Sequence, residues 1–123
     1  MALALLVDLG EPSAAQVRAL MEGLTMINQV AMRESGRVWP SLKSAGVRYQ
    51  RTHEWRSAKL LLAHRRGDCK DLVAYECARL REAGHRVTIR LTRIGRTWHT
   101  LIRLPDGRLF DPSRELGMKG HGG

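Results

Sequence analysis

The chain has 123 residues, of which 43% are hydrophobic and only 5% aromatic, and its formal net charge is +9. This length allows one domain, predicted over residues 1–118 with a flexible glycine-rich tail at 119–123, and excludes a second independently folding unit. The apolar residues 1–7 lack a basic leading region and a cleavage site, and no other apolar run approaches the roughly 20 residues that cross a bilayer. The sequence therefore predicts no signal peptide and no membrane span, and it favours a soluble protein of a reducing compartment.

The excess of positive charge favours an acidic partner or environment, such as nucleic acid or an anionic surface. The cationic side chains are scattered, however, and form only short clusters such as Arg65-Arg66. The sequence contains no basic arm, no row of stacked aromatic residues and no recognised DNA-binding motif. Contact with nucleic acid through a basic surface is therefore an alternative function and not the leading one.

Helical periodicity dominates the first half of the chain. Residues 13–34 carry apolar side chains at helical spacing and Gly36 follows them, which predicts an amphipathic helix. Residues 38–51 contain proline, serine and glycine, and they predict a loop that ends in a short extended piece at 47–49. Residues 55–64 predict a second, short helix whose leucines supply its buried side.

The segment that starts at Gly67-Asp68-Cys69 predicts a core helix. Apolar residues follow at helical spacing, and Gly84 stands where a glycine commonly terminates a helix. Asp68 is a good N-cap because its carboxylate can accept hydrogen bonds from the first free backbone N–H groups. Cys69 would then lie in the first turn.

After Gly84 the period of the apolar residues changes from helical to two. Residues 87–92 and 98–104 alternate as strands with one buried face, and Pro105-Asp106-Gly107 predicts a turn into a third strand at 108–111. Helices come first and antiparallel strands follow, so the predicted fold class is α+β.

The two cysteines occupy different positions on the predicted core helix. They would lie about 12 Å apart along its axis, which is too far for a disulfide. The partial positive charge at a helix N-terminus stabilises a thiolate, and Cys69 lies where that field is strongest. Cys77 lies about two turns further along, on the packed side, where apolar surroundings favour the neutral thiol. Only Cys69 is therefore predicted to react.

A catalytic thiol also needs a base and a group that orients the base, and the predicted hairpin offers both. A three-residue loop with Gly107 in the left-handed conformation would pair Leu104 with Arg108 and would make His99 and Asp111 diagonal neighbours on one face. A two-residue loop would put them on opposite faces. The prediction of a Cys69, His99, Asp111 triad therefore depends on the turn.

From residue 67 onward the sequence resembles the transglutaminase-like superfamily of papain-like cysteine enzymes. The family pattern is Gly-Asp-Cys at a helix start, then a histidine on a strand, then an aspartate at the end of the next strand. The likeness is closest to short transglutaminase-like proteins of tailed-phage and prophage gene clusters, and it spans residues 39–118. The motifs that carry it are Gly67-Asp68-Cys69-Lys70-Asp71-Leu72, Trp98-His99-Thr100 and Leu109-Phe110-Asp111-Pro112-Ser113, with Pro40-Ser41-Leu42, Gly46-Val47-Arg48-Tyr49 and Trp55 upstream.

The resemblance implies a papain-like, transglutaminase-like α+β fold, with N-terminal helices and a nucleophile helix packed on a small antiparallel β-sheet. It implies a cysteine-dependent hydrolase or acyltransferase acting on amide or peptide bonds, with no cofactor and no metal, in the cytoplasm or in a phage particle. A side-chain oxyanion donor is expected from the upstream loop, where Tyr49, Gln50 and Trp55 are candidates beside the Cys69 backbone N–H. Lys70 departs from the acidic residue that usually follows the cysteine, which changes the local charge.

Several alternatives stay open at this stage. The family includes inactive relatives, so the chain could be a structural or binding protein of a phage particle whose basic surface contacts DNA or a protein. Asp71 could line the site or could be a solvated carboxylate at the helix start. A zinc site that uses the triad residues and His64 is conceivable, but no ligand pair has a typical metal-binding spacing.

Overall fold

Long helices occupy the first two thirds of the chain and the main sheet occupies the last third. The computed structural model describes residues 4–5 and 10–119. The helices are α1 (Ala14–Ser35), α2 (Ala58–His64), α3 (Cys69–Glu82) and α4 (Pro112–Glu115), and the strands are β1 (Ala4–Leu5), β2 (Arg48–Tyr49), β3 (Trp55–Arg56), β4 (Arg66–Gly67), β5 (Thr88–Ile94), β6 (Thr97–Arg103) and β7 (Leu109–Phe110). The predicted α+β class is confirmed. Of the predicted tail at 119–123, all but Lys119 lies outside the described residues.

The first helix begins and ends close to the predicted residues. Ser13 Oγ accepts a hydrogen bond from the Gln16 N–H at 3.2 Å, and Gln16 Oε1 accepts one from the Ser13 N–H at 2.9 Å, which together form a capping box. Gly36, with a φ of 64°, terminates the helix. The prediction for residues 13–34 is confirmed. Among the described residues, no helix is both long and apolar enough to cross a membrane.

Helix α3 forms the centre of the molecule, and every residue from 71 to 78 is buried. On one side of the helix, Val73, Ala74 and Cys77 pack against α1 and the main sheet. Another side packs with Leu72 and Tyr75 against α2 and the loop before β2. Because apolar neighbours surround this helix, its first turn is held in a fixed position relative to the sheet.

The main sheet is antiparallel, in the order β5-β6-β7. Strand β7 pairs Phe110 with Ile102 and Leu109 with Arg103. At the turn, the Leu104 N–H donates to the Arg108 carbonyl at 2.8 Å, and Gly107 has a φ of 90°. The predicted three-residue loop and its register are confirmed.

The short extended piece predicted at 47–49 is confirmed as β2, but the pairing of the four two-residue strands was not predicted. Strand β1 pairs antiparallel with β3, and β2 pairs parallel with β4. The prediction of a helix from residue 55 is wrong at its start, because β3 precedes α2, which begins at Ala58. Pairing between residues this far apart in sequence leaves no local periodicity that would indicate it.

Candidate active site

Cys69 is the first residue of helix α3, as predicted. Strand β4 carries the chain to Gly67, and Asp68 adopts an extended N-cap conformation with φ of −97° before the helix starts. Cys69 is partly exposed, and its Sγ lies 4.0 Å from the backbone oxygen of Trp98 on β6. The thiol is thus located between the positive end of a helix and the strand that carries His99.

Cys77 has the opposite environment on the same helix. Its side chain is fully buried in the cluster between α1 and the main sheet. Burial raises the pKa of the Cys77 thiol to about 11, so this sulfur stays protonated at neutral pH. Both cysteines are free thiols in the structure.

His99 and Asp111 are in direct contact across the hairpin. Nε2 of His99 lies 2.9 Å from Oδ2 of Asp111, and the histidine is only 4% exposed. The hydrogen bond to Asp111, followed by one to Cys69, raises the pKa of His99 to about 9. Burial alone would raise the pKa of Asp111, but the hydrogen bond and charge of His99 outweigh burial and hold that pKa below its usual range. At neutral pH the pair is therefore an imidazolium and a carboxylate.

Asp111 has a second structural role that fixes its position. It is the N-cap of α4, where its Oδ1 accepts a hydrogen bond from the Arg114 N–H at 3.3 Å. Arg114 Nε also lies 3.5 Å from Oδ2 of the same carboxylate. The aspartate is therefore held from the helix side while it contacts the histidine from the other side.

A cavity of about 560 Å³ opens beside the thiol and the imidazole. Its walls come from the loop after β2, the start of α3, the start of β6 and the residues after α4. The lining consists of Tyr49, Arg51, Thr52, His53, Asp68, Cys69, Lys70, Thr97, Trp98, His99, Met118 and Lys119. The thiol and the imidazole thus face a space large enough for part of a ligand.

Asp71 is buried, so the interpretation of this residue as a solvated carboxylate is wrong. Its Oδ2 accepts hydrogen bonds from the Thr52 hydroxyl at 3.0 Å and the Asp68 N–H at 3.2 Å, and its Oδ1 accepts one from the Arg56 N–H at 2.8 Å. Burial raises the pKa of Asp71 to about 6, against the opposing charge of Lys70. The carboxylate ties one cavity wall to the start of α3.

The spacing of Asp68 and Asp71 is a signal that could have indicated part of this arrangement. An acidic residue three positions after an N-cap can accept from the N-cap N–H, which is the contact observed. The burial of the carboxylate and its bonds to residues 52 and 56 depend on the loop, which the spacing does not report.

Lys70 replaces an expected acidic residue, and its positive charge is compensated locally. Its Nζ lies 2.8 Å from Asp68 Oδ1 and donates to the Thr52 carbonyl at 3.2 Å. It also lies 3.8 Å from Asp71 Oδ2 and 5.6 Å from the centre of the Trp55 ring. The lysine therefore joins the loop to the helix start together with Asp71.

The three oxyanion candidates lie in different places. Tyr49 lines the cavity, and burial together with the charges of Cys69 and Asp68 raises the pKa of its phenol, which stays protonated. The Gln50 side chain accepts a hydrogen bond from Arg66 at 3.4 Å, and the Trp55 ring lies against Lys70. Neither Gln50 nor Trp55 is part of the described lining of the cavity.

The described part of the chain contains no group of three or more His, Cys, Asp or Glu side chains that could hold a metal ion. His53, His64 and His85 are exposed, and His53 lines the cavity. His121 lies outside the described residues. Comparison of the chain with protein family models, curated proteins and solved structures gives no match.

Proposed function

We propose that the protein is a cysteine-dependent hydrolase or acyltransferase that acts on amide or peptide bonds, with a papain-like, transglutaminase-like fold. One observation carries this proposal: the 2.9 Å contact of His99 with Asp111, on the hairpin that faces the helix N-terminus bearing Cys69. The sequence resemblance to phage-associated members of that superfamily agrees with it. A role in phage assembly or entry, in the cytoplasm or in a virion, is part of the same proposal.

The first chemical step uses the charge state of the pair. An imidazolium at His99 and the field of the helix N-terminus both favour the thiolate form of a neighbouring cysteine, and that form of Cys69 is the nucleophile of this proposal. The thiolate attacks the substrate carbonyl carbon, an S–C bond forms, and the carbonyl electron pair moves onto oxygen. Asp111 keeps the ring oriented and stabilises its positive charge throughout.

Collapse of this intermediate and transfer of the acyl group complete the reaction. The oxyanion returns its electron pair, the C–N bond breaks, and the imidazolium gives its proton to the leaving amine. The resulting thioester is then attacked by water or by a second amine, from which neutral His99 accepts a proton, and the C–S bond breaks to return the Cys69 thiolate. Water as the acceptor gives hydrolysis, and an amine gives a new amide.

The developing oxyanion has two suitable donors. The Cys69 N–H is at the first helical position, where backbone N–H groups have no acceptor within the helix. The Tyr49 hydroxyl is the side-chain donor favoured by its position at the cavity. Gln50 would first have to release Arg66.

Alkylation by iodoacetamide tests the proposed nucleophile. We expect a stoichiometric, pH-dependent reaction at Cys69 that persists in Cys77→Ala and disappears in Cys69→Ala. The variant His99→Ala should slow the reaction at neutral pH because the imidazolium is lost. Equal labelling of both cysteines in the folded protein, or a pH profile unchanged by His99→Ala, would contradict the proposal.

A second candidate is a catalytically silent binding protein that uses its basic surface. In the pairing of β5 with β6, Arg90 lies opposite Leu101 and Thr88 opposite Arg103, so the two exposed arginines are diagonal neighbours on one face. Like charges in such positions repel each other unless an anion lies between them. Salt-sensitive DNA binding that survives Cys69→Ala but is lost in Arg90→Gln would favour this function.

A further inference from the structure

We propose that the cavity beside Cys69 selects an acidic peptide, with a substrate carboxylate bound between Arg51 and Lys119 close to the bond that reacts. This inference rests on the proposed function, because it names the substrate class of the same thiol. It goes beyond that function in assigning specificity to two residues outside the triad.

The charge of the lining is strongly asymmetric. Of the residues described, three lysine or arginine side chains line the cavity, namely Arg51, Lys70 and Lys119, together with one carboxylate, that of Asp68. Lys70 is paired with that carboxylate at 2.8 Å, and both side chains are 13% exposed. The remaining two cations are therefore not compensated by an acidic side chain from the described residues that line the cavity.

Arg51 and Lys119 are also available to a ligand. Both are exposed, and among the described residues neither forms an ion pair or a side-chain hydrogen bond. Arg51 is close enough to the Tyr49 phenol for its charge to oppose the upward shift in the pKa of that group. Arg51 thus lies beside the oxyanion candidate, on the loop that Asp71 anchors through Thr52.

A further cation lies next to the cavity. The Arg93 guanidinium is 5.4 Å from the centre of the Trp98 ring, and Trp98 lines the cavity. Cations on several sides of a concave space raise the local concentration of anions there. The field at the thiol therefore favours an anionic ligand over a neutral or cationic one.

The chemistry of the thiol restricts the anion to an acyl compound. A phosphodiester backbone offers no carbonyl carbon for attack by a thiolate, whereas an acidic peptide offers both the amide and the carboxylate. Trp98 and Met118 supply apolar lining surface for the rest of the chain. An acidic peptide is therefore the class that matches the cavity and the proposed reaction together.

Two alkylating reagents of similar size measure the field at Cys69 without any substrate. Iodoacetate is an anion and iodoacetamide is neutral, and each forms an S–C bond with release of iodide. We expect the rate constant for iodoacetate, divided by that for iodoacetamide, to fall about twofold to fivefold in Arg51→Gln, since one unit charge is removed near the sulfur. The control is Arg86→Gln, which removes the same charge beyond the opposite end of α3 and should leave the ratio unchanged. An equal ratio in wild type and Arg51→Gln would overturn the inference.

A pair of activated esters separates this inference from the proposed function. Mono-p-nitrophenyl glutarate carries a free carboxylate and p-nitrophenyl valerate does not, and attack by Cys69 releases p-nitrophenolate from either. We expect kcat/KM to favour the glutarate, and we expect that preference to decrease in Arg51→Gln. Equal rates for the two esters, both dependent on His99, would overturn the acidic specificity and leave the enzyme function intact. Absence of any Cys69-dependent release would instead contradict the enzyme function.

Protection from iodoacetamide distinguishes a peptide from nucleic acid. A hexaglutamate peptide should slow the labelling of Cys69 in wild type and should lose this effect in the Arg51→Gln variant. A single-stranded oligonucleotide of equal charge serves as the comparison. Protection by the oligonucleotide alone would overturn the assignment to an acidic peptide.

Discussion

The start of helix α3 and its buried middle give two cysteines of the same helix different environments. At its start, Cys69 is partly exposed beside a cavity, and Asp68, Lys70 and Asp71 surround it with hydrogen-bonded charge. About two turns later, Cys77 is fully buried among apolar residues, and burial raises its pKa to about 11. The same side chain is therefore predicted to react in one place and to act as packing in the other.

This difference shows that the helix terminus and its surroundings, and not the residue type, determine what a cysteine can do. The terminal N–H groups of α3 and the imidazole of His99 are close to the Cys69 sulfur, whereas Cys77 packs against the main sheet about two turns further along. Mainly apolar packing surrounds the Cys77 sulfur, and the Arg81 guanidinium beside it is a cation and not a base. The predictions below test this contrast.

Serine substitution should have opposite effects at the two cysteines, and these are the largest effects we expect. Cys69→Ser should lower acyl transfer to activated esters at least about a thousandfold, with little change in stability. Cys77→Ser should retain activity but lower the free energy of unfolding by about 1–3 kcal/mol, because burying a hydroxyl in a mainly apolar cluster costs more than burying a thiol, even with Arg81 within hydrogen-bond reach. Ester turnover and urea unfolding of both variants measure these effects. An equal loss of activity in the two variants would contradict the prediction.

Asp111→Asn should weaken the base without removing it. We expect the pKa of His99 to fall from about 9 toward its ordinary value, since the hydrogen bond to the carboxylate is the main cause of the shift. Turnover should fall about tenfold to a thousandfold, because the ring loses both orientation and charge stabilisation. NMR titration of the His99 ring measures the pKa, and an unchanged midpoint would show that Asp111 is not the cause.

The same pair should make stability depend on pH in a defined window. The pKa of His99 is raised in the folded state. Its contribution to stability is therefore fully present at pH values below its pKa in the unfolded chain, and it disappears as pH rises through about 9. The pKa of Asp111 is lowered, so its contribution is present above its unfolded value and disappears as pH falls through the folded one. The free energy of unfolding of wild type should exceed that of Asp111→Asn by about 1–3 kcal/mol between roughly pH 4 and 6.5, and by less at pH 9. Urea unfolding of both proteins within that window and at pH 9 checks the sign.

Gly67 and Gly23 offer a smaller, matched test of how tightly the helix start is packed. A Cβ at residue 67 would lie 2.6 Å from Leu61 Cδ1 and 3.0 Å from Asp71 Cβ, whereas one at residue 23 of α1 meets nothing within 4 Å. We expect Gly67→Ala to lower the free energy of unfolding by about 1–3 kcal/mol and to reduce the reactivity of Cys69. Gly23→Ala should stabilise by about 0.5–1 kcal/mol because alanine favours a helix. Thermal unfolding of both variants measures the difference.

Local pattern predicted the parts of the fold that local chemistry determines. The limits of α1, the start of α3 and the register around Gly107 follow from capping residues, apolar spacing and turn chemistry, and all three are confirmed. The contact of His99 with Asp111 then follows from that register. Whether the triad acts in catalysis stays a prediction.

Two features that the sequence did not indicate depend on contacts between residues far apart in the chain. The strand at Trp55–Arg56 depends on Ala4–Leu5, and the burial of Asp71 depends on Thr52 and the Arg56 N–H. Each involves segments whose approach is determined by the core around α3. A carboxylate three residues after an N-cap is usually exposed, and only the loop above it reverses that expectation.

The anchoring of residues 52 and 56 by Asp71 would, under the proposed specificity, divide one short loop into supporting and ligand-contacting residues. Thr52 and Arg56 hold the loop to the helix start, while Arg51 and His53, on either side of Thr52, line the cavity. Residues 51 and 53 could therefore be exchanged to retarget the protein toward other ligands without disturbing the scaffold beneath. In a library of variants, diversity at these two positions should preserve folding, whereas diversity at 52 and 71 should not.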